Sequence, residues 1–424
     1  MSRNTTLSNA LWLVFGRLVQ SVLTFLVGIL TARYLGPSDY GLIHYAAGFT
    51  GFFATFCTLG LPSILVRELT DAPEEEGKIL GTALGIQSIS SVCSMILILC
   101  LVWGLEGSDP SVLTVVGISS VAMVLRSLDC LHCYFQARHR SRITAVVLLS
   151  AHGAAMLYKA ALLVLGKGVA WFAFGAVLEQ TVVNGLLLGA YGRTGGRRLG
   201  FSREMARRLL SRSRFFILPG LMVAVYAQTD RIMLTQLLGE TATGHYSAAV
   251  SLCGSWCFLL SALIDATYPE ITEAHRQDLR LFDRRNRQLY VAVLYLSGAV
   301  ALGTQLLAEP LVRLIYGEAF LPAARPLRIL SWYTGFSYLG VARNAWVVCR
   351  EAQKDLVWVY AMAAAGNVAL NLLLIPRWGP SGAAAASLAA QVISAVIAPW
   401  LLGSLRENAC LMLEALCLKG LKEE

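Results

Sequence analysis

Several charged and polar side chains of this sequence lie inside long apolar stretches, where a charge is costly unless water, a partner or a ligand receives it. In the first stretch, polar residues recur at helical spacing on one face, namely Arg17, Gln20, Thr24 and Thr31. We predict that this face lines a water-filled cavity. The alternative is that Arg17 extends along its helix to the lipid headgroups.

Two further sets of charges lie in the first half of the chain. Arg126 and Asp129 are three residues apart, close enough on a helix to neutralise each other, or to leave Arg126 for an anion. Lys159 and Glu179 lie in consecutive apolar stretches and could pair in the same way. Either set would place a cation inside the membrane, so Arg126 and Lys159 are candidate binding residues.

The second half of the chain adds candidates for ligand binding and for ion coupling. Arg343, beside Asn344, has no acidic neighbour in its own apolar stretch, so these two residues are candidates for ligand contact. Asp230 and Asp265 lie in consecutive stretches, where a carboxylate can bind a proton or Na⁺ and couple transport to an ion gradient. Glu179 is a third ion-coupling candidate. The alternatives are an Asp230–arginine pair and an interfacial Asp265.

Enzyme signatures are not evident in the sequence. No glycine-rich loop precedes a Lys-Ser/Thr pair, no HExxH motif occurs, and no loop is long enough for a catalytic domain. Cys130 and Cys133 match CxxC, but inside an apolar stretch we interpret them as buried thiols. We therefore predict no catalytic residue, no metal site and no cofactor.

The elements that must position these residues are transmembrane helices. The chain is 56% hydrophobic and only 14% charged, and no charged residue occurs in 79–105, 241–264, 288–308 or 378–405. Each gap reaches the roughly 20 residues that cross a bilayer, without the alternation of barrel strands. We predict an all-α integral membrane protein of about twelve spans, near residues 9–32, 42–65, 79–104, 112–136, 143–165, 169–191, 215–238, 244–268, 288–308, 327–349, 356–376 and 381–404.

The basic residues predict the topology. With a cytoplasmic N-terminus, most of the 35 lysines and arginines fall in the termini and the even-numbered connections, which fits the positive-inside rule. Both termini are therefore predicted to be cytoplasmic. The net charge of +9 is a topology signal, and we predict no nucleic-acid partner.

The chain divides into two halves by sequence. We predict a six-helix bundle over 1–192, a basic cytoplasmic linker over 193–214, a second six-helix bundle over 215–404 and a tail over 405–424. The tail is predicted to be an interfacial helix, with disorder as the alternative. Leu35-Gly36 and Gly41 recur as Leu238-Gly239 and Gly244 at the same internal spacing, which indicates duplication.

Five ordered stretches carry a family resemblance. They are LTARYLGPSDYG at 30–41, TDRIML at 229–234 leading into Leu238-Gly239, LIYGEAF at 314–320, the run from Asn367 through Asn371 to Pro376, and Gly379 to Ala384. Together they resemble the Wzx-type polysaccharide flippases of the multidrug/oligosaccharidyl-lipid/polysaccharide (MOP) exporter superfamily.

The resemblance implies a MATE-like, V-shaped pair of pseudo-symmetric bundles working by alternating access in the cytoplasmic (inner) membrane. It implies flipping of a polyprenyl-diphosphate-linked oligosaccharide, with pathway polymerases and glycosyltransferases as partners and no enzymatic step. The diphosphate and cavity contacts would come from Arg17, Gln20, Thr24, Arg126, Lys159, Arg343 and Asn344. A proton gradient, a Na⁺ gradient or the membrane potential would drive turnover.

Two other functions remain open from the sequence. A cation-coupled multidrug exporter of the same superfamily would have a cavity dominated by acidic groups, whereas several candidate charges here are arginines. A membrane glycosyltransferase or polymerase would normally need a sizeable external loop.

Overall fold

The computed structural model describes residues 3–417; within them, the side chains of residues 3–20, 63, 141 and 215 are not described. The described chain is built from α-helices with short 3₁₀ and π turns, and no β-strand occurs in it. The helices are α1 (Arg3–Thr58), α2 (Pro62–Asp71), α3 (Glu76–Glu106), α4 (Pro110–Leu125), α5 (Cys130–Ala137), α6 (Ser141–Leu165), α7 (Val169–Arg193), α8 (Arg203–Leu238), α9 (Glu240–Gly254), α10 (Cys257–Gln277), α11 (Leu279–Ile315), α12 (Ala324–Cys349), α13 (Leu356–Trp378), α14 (Pro380–Val392), α15 (Ala398–Leu401) and α16 (Arg406–Leu416).

Long apolar helices account for the predicted spans. By length and composition, seven spans within the described residues can cross a membrane, or up to nine when each of two bent helix pairs counts as one span. The first two predicted spans belong to α1, whose side chains are only partly described, and the tenth corresponds to α12. The prediction of an all-α, multi-pass membrane fold is confirmed.

Three predicted spans are interrupted rather than continuous. A 3₁₀ turn, Arg126–Asp129, separates α4 from α5, and a π turn, Ile393–Ile397, separates α14 from α15. The helices α9 and α10 meet at a bend of 41°. Non-helical backbone at membrane depth is tolerated where it is buried in protein or lines a cavity, so such breaks mark places of functional interest.

The chain packs as two compact units. The first contains the residues through Leu35 together with Leu42–Ala224, and the second contains Gly36–Gly41 together with Val225–Glu424. The first has a core around Leu65, Leu131 and Phe135, and the second has a core around Phe282, Tyr290 and Trp346. The domain boundaries drawn from sequence stay a prediction. Residues 203–214 of the predicted linker form the first turns of α8, and α16 lies in the predicted tail.

The two copies of the repeated motif have the same backbone conformation. Gly36 breaks α1 with φ 75° and ψ 176°, and Gly239 separates α8 from α9 with φ 83° and ψ 173°. A positive φ of this kind is accessible to glycine at little cost and strains other residues. The repeat recognised in the sequence is therefore a repeat of local structure.

The same two motifs contact each other within the second unit. A Cβ atom at Gly41 would collide with the carbonyl oxygen of Glu240, and one at Gly244 would collide with the carbonyl oxygen of Pro37. Pro37 and Glu240 hold equivalent places in the two copies, as do Gly41 and Gly244. The Ser38 hydroxyl also donates to the Glu240 carboxylate over 3.2 Å. The approach of the two backbones explains why both positions are glycine.

Candidate functional site

A cavity of about 610 Å³ with several charged lining residues lies inside the first unit. Segments of α1, α3, α4, α5, α6 and α7 line it, together with the 3₁₀ turn after α4. Its charged or titratable lining residues are Arg126, Asp129, His132, Lys159 and Glu179. The cavity thus contains two of the predicted binding cations, and their charges are matched by two carboxylates.

The 3₁₀ turn supplies the ion pair suggested by the sequence spacing. Arg126 Nε lies 3.4 Å from Asp129 Oδ2, and the Arg126 side chain is 65% exposed. Asp129 Oδ1 also accepts a hydrogen bond from the Gln180 amide over 2.9 Å, and His132 Nε2 is 3.8 Å from it. Because Asp129 is shared among several donors, much of the Arg126 guanidinium remains available to a ligand.

Glu179 pairs with a histidine rather than with Lys159. Glu179 Oε1 lies 3.1 Å from His152 Nδ1, and the Thr24 hydroxyl lies 2.8 Å from His152 Nε2. Lys159 is close enough to Glu179 to interact through space, but the two form no ion pair within 4.0 Å. The Lys159 stem instead packs against Gly175. The direct Lys159–Glu179 pair suggested by the sequence is therefore not formed.

The structure describes only part of the predicted polar face of the first span. Thr24 is engaged with His152, as described above. The side chains of Arg17 and Gln20 lie outside the described residues, so their place in the cavity stays a prediction.

A second site surrounds Asp230 in the second unit, beside a cavity of about 140 Å³. The Asp230 carboxylate is buried and accepts hydrogen bonds from Tyr246 over 2.6 Å, from Asn371 over 2.6 Å and from Asn367 over 3.2 Å. The Ser387 hydroxyl is a fourth donor. Four helices, α8, α9, α13 and α14, thus converge on one carboxylate.

The donors around Asp230 are all neutral. Among the described residues no arginine pairs with it, and the neighbouring Arg231 donates instead to Gln228 over 3.0 Å. The Oδ1 atom of Asn371 is buried and has no hydrogen-bond donor. Carboxylate, amide and hydroxyl oxygens are the ligands that hard cations prefer. The cluster can therefore receive a small cation, or hold a proton on Asp230.

Arg343, Asn344 and Asp265 lie outside both cavities. Arg343 is fully buried in the second unit, where its Nη1 donates to the backbone carbonyl of Ser394 over 2.7 Å. Asn344 and Asp265 are exposed. Successive residues of a helix point about 100° apart, so α12 turns Arg343 inward and Asn344 outward. Arg343 lines neither cavity in this structure, so ligand contact by Arg343 stays a prediction.

Several residues of the two sites were not predicted. His152 is seven residues before Lys159, so the two share one face of α6, and that spacing was a usable signal. Tyr246 and Ser387 carry no such signal, because each is a common residue in an apolar helix and reaches Asp230 only through the fold. The Gln180 amide likewise reaches Asp129 across a helix interface.

Two buried glutamates at helix ends of the first unit were also missed. Glu68, at 1% exposure, binds Arg208 over 2.7 Å and also Arg212. Glu76 binds Arg138 and accepts the backbone N–H of Arg197 over 3.2 Å. The bond to Glu76 raises the pKa of the Arg138 guanidinium above its ordinary value. These carboxylates hold part of the arginine-rich segment against α2 and α3.

Comparison with known proteins places these features in a family. A family model described as polysaccharide biosynthesis protein matches residues 6–275. The fold is similar to that of the lipid II flippase MurJ in an inward closed conformation, with a TM-score of 0.73 and 14% identity over 96% of this chain and 91% of that one.

Multidrug transporters share the fold as well. An inward-facing MATE family transporter of the MOP superfamily gives a TM-score of 0.72 and 13% identity over 92% of this chain and 96% of that one. An outward-facing MATE transporter gives 0.59 and 14%, over 95% and 94%. Comparison with curated protein sequences finds no significant match.

The family match extends over more than half of the chain and includes the first cavity and Asp230. The helical architecture agrees with it, since transporters of this fold supply the structural matches. The chain therefore belongs to the polysaccharide biosynthesis protein family, and it has the fold of the MurJ flippase and of the MATE transporters.

Proposed function

We propose that the protein flips a polyprenyl-diphosphate-linked oligosaccharide across the cytoplasmic membrane, for the biosynthesis of a cell-surface polysaccharide. The observation that carries the proposal is the first-unit cavity, whose lining includes the cations Arg126 and Lys159. A diphosphate is a doubly charged anion, and arginine and lysine are its usual protein ligands. Membership of the polysaccharide biosynthesis family supports a glycan-bearing cargo.

The two cations are suited to capture an anion because neither is fully neutralised. Arg126 contacts Asp129 at the long distance of 3.4 Å, and Lys159 has no ion pair within 4.0 Å among the described residues. A diphosphate entering the cavity would gain both contacts without breaking a tight pair. Arg17, Gln20 and Thr24 are proposed to extend this polar surface along α1.

Transport would proceed without covalent chemistry. Solved proteins of this fold adopt inward-facing and outward-facing conformations, and we propose that this chain alternates between the same two kinds of state. The charge distribution of the connections supports cytoplasmic termini. Pathway glycosyltransferases would supply the cargo on the cytoplasmic side, and a polymerase would consume it on the other.

We propose Asp230 as the group that couples transport to an ion gradient. Its carboxylate is buried among neutral oxygen-bearing side chains, and Asn371 Oδ1 has no donor. Asp265 is exposed, and Glu179 is paired with His152, so neither presents a comparable set of free oxygens. A Na⁺ ion or a proton at Asp230 would balance a charge that the membrane otherwise disfavours.

The cargo proposal is tested by reconstituting the protein into liposomes and following a fluorescent polyprenyl-diphosphate oligosaccharide. We expect translocation well above protein-free liposomes. The double variant Arg126→Gln, Lys159→Gln should lose at least about tenfold in rate, because each lost charge-assisted contact weakens binding by about 1.5–3 kcal/mol. The matched control is Arg67→Gln on α2, whose side chain is exposed and paired with the exposed Asp71.

Two outcomes would overturn the cargo proposal. One is extrusion of hydrophobic cations with no movement of the lipid-linked glycan, which would identify a drug exporter. The other is an unchanged rate in the double variant, which would remove the first cavity from the cargo path.

The coupling proposal is tested by thermal unfolding in detergent with and without Na⁺, and across pH. Ligand at a hundred times its dissociation constant adds about 2.7 kcal/mol of stability, so the unfolding temperature should rise by several degrees. Asp230→Asn should abolish that dependence on Na⁺ or pH, whereas Asp265→Asn should retain it. An Asp230→Asn protein that responds like the wild type would contradict this assignment.

A further inference from the structure

His152 lies between two hydrogen-bond partners, one of which lines the first-unit cavity. It belongs to α6, and its ring is buried. Its Nδ1 faces Glu179 Oε1 of α7 at 3.1 Å, and its Nε2 faces the Thr24 hydroxyl of α1 at 2.8 Å. Glu179 itself lines the cavity. The imidazole is thus held in one orientation by three helices, with a route to the cavity through its carboxylate partner.

We infer that His152 is a proton-binding site that sets the net charge of the first-unit cavity and so governs its affinity for an anionic headgroup. The second part of this inference rests on the proposed function, whereas proton binding by His152 does not. Histidine is the side chain that ordinarily changes charge between pH 5 and 8.

The hydrogen bonds of His152 are compatible with both protonation states. In the neutral ring, Nδ1–H donates to Glu179 and Nε2 accepts from the Thr24 hydroxyl. In the imidazolium, Nε2–H donates to the same Thr24 oxygen, since a hydroxyl can rotate to act as acceptor. A proton can therefore be added or removed without leaving either nitrogen unpaired, which avoids the usual penalty for burying an unsatisfied polar group.

The charged side chains described in the cavity lining balance one another before His152 binds a proton. Glu179 comes from α7, Lys159 from α6, and Arg126 and Asp129 from the turn after α4, so two cations face two carboxylates. His132 of α5 is the other titratable group of the lining, and Arg17 of α1 lies outside the described side chains. A proton on His152 changes this described set from neutral to a net charge of one positive.

The charge change links proton binding to cargo binding. A doubly charged anion in the cavity is attracted by the protonated site, and by linkage the bound anion raises the proton affinity of the site by the same factor. Coupling between two binding sites typically changes affinity by about tenfold. A proton would then be taken up as cargo binds and released as it leaves.

The proton site is tested without cargo by histidine-selective NMR of the full chain in detergent micelles. The sequence has six histidines, and the signal lost in His152→Gln assigns the residue. We expect that signal to shift between pH 5 and 8.5 as the ring titrates. His152→Asn provides the same assignment should His152→Gln fail to fold. An assigned signal that does not move over this range overturns the inference.

The link to cargo is tested with a short dialkyl diphosphate, whose own charge is constant over the pH range. We expect wild-type binding about tenfold tighter at pH 6 than at pH 8, and equal binding at both in His152→Gln. His275→Gln on α10 is the matched control and should keep the wild-type pH dependence.

The outcomes separate the two proposals. Binding whose pH dependence survives in His152→Gln overturns the link while leaving the proposed function intact. No binding by the wild type at any pH counts against the proposed function and the link together, while the NMR titration still decides whether His152 binds a proton.

Discussion

Arg343 is a buried cation without a countercharge. Its guanidinium interacts electrostatically with the phenol groups of Tyr290 and Tyr360, and its Nη1 donates to the carbonyl of Ser394 in the π turn. No carboxylate of the described chain lies within 4.0 Å of it. Burying an unpaired charge costs several kcal/mol, so Arg343 lowers the free energy of unfolding. Its hydrogen bond to Ser394 indicates that its role is to hold the π turn in place.

Replacing Arg343 with methionine should separate stability from transport. Arg343→Met removes the buried charge and keeps much of the volume, so we expect an unfolding free energy unchanged or higher by about 1 kcal/mol. Transport should fall severalfold, since the π turn loses the donor that holds it. Thermal unfolding and the liposome assay measure the two effects. Asn344→Ala, on the exposed face of the same helix, should change neither; a less stable but fully active Arg343→Met would contradict this account.

At the scale of elements, two short ionic contacts fasten α8 to α2. Arg208 and Arg212 are one helical turn apart on α8 and both reach Glu68 of α2. The sequence suggested a basic cytoplasmic linker here, because its arginines are consistent with any exposed cytoplasmic segment. The sequence does not reveal that Glu68 is buried and that, among the described residues, it pairs with two of these arginines. These contacts make this part of the segment a packed part of the first unit.

Neutralising Glu68 should destabilise the first unit. Breaking a buried pair costs about 3–5 kcal/mol, and because the two arginines are 41% and 51% exposed, we expect about 2 kcal/mol for Glu68→Gln. The control is Asp71→Asn on the same helix, whose exposed pair with Arg67 should contribute under about 1 kcal/mol. Equal unfolding temperatures for the two variants would show that Glu68 is not a fastening point.

At the scale of the whole molecule, hydropathy predicts where the spans lie but not where their helices are interrupted. Lipid dictates long apolar runs, so the helices could be located from sequence. The break at Arg126–Asp129 depends on tertiary contacts such as Gln180 to Asp129, which local pattern cannot reveal. The second site illustrates the same limit, since the partners of Asp230 lie up to 157 residues away. The sequence identifies Asp230 as a charge that is costly inside a membrane span. It does not reveal the neutral donors that surround the carboxylate.

The paired glycine motifs give a prediction about the second unit as a whole. Gly41→Ala and Gly244→Ala each place a methyl group against a carbonyl oxygen, so the backbones must separate, at about 1–3 kcal/mol each. The double variant should lose less than the sum, because both changes open the same contact. Gly298→Ala in α11 meets open space and should be neutral or stabilising. Thermal unfolding of the four proteins checks the order.

The contact between these motifs has the form that two identical subunits make across a two-fold axis: position i of one copy meets position j of the other, and j meets i. In a dimer of identical chains, any substitution would alter both sides at once. Here both copies lie in one chain, so each side can change alone, and it has: Pro37, which has no N–H, stands where the other copy has Glu240, whose carboxylate binds Ser38. The two glycines preserve the symmetric backbone contact, whereas the side-chain hydrogen bond is made in one direction only, from Ser38 to Glu240. Joining two copies in one chain thus allows one copy to acquire a contact that the other lacks.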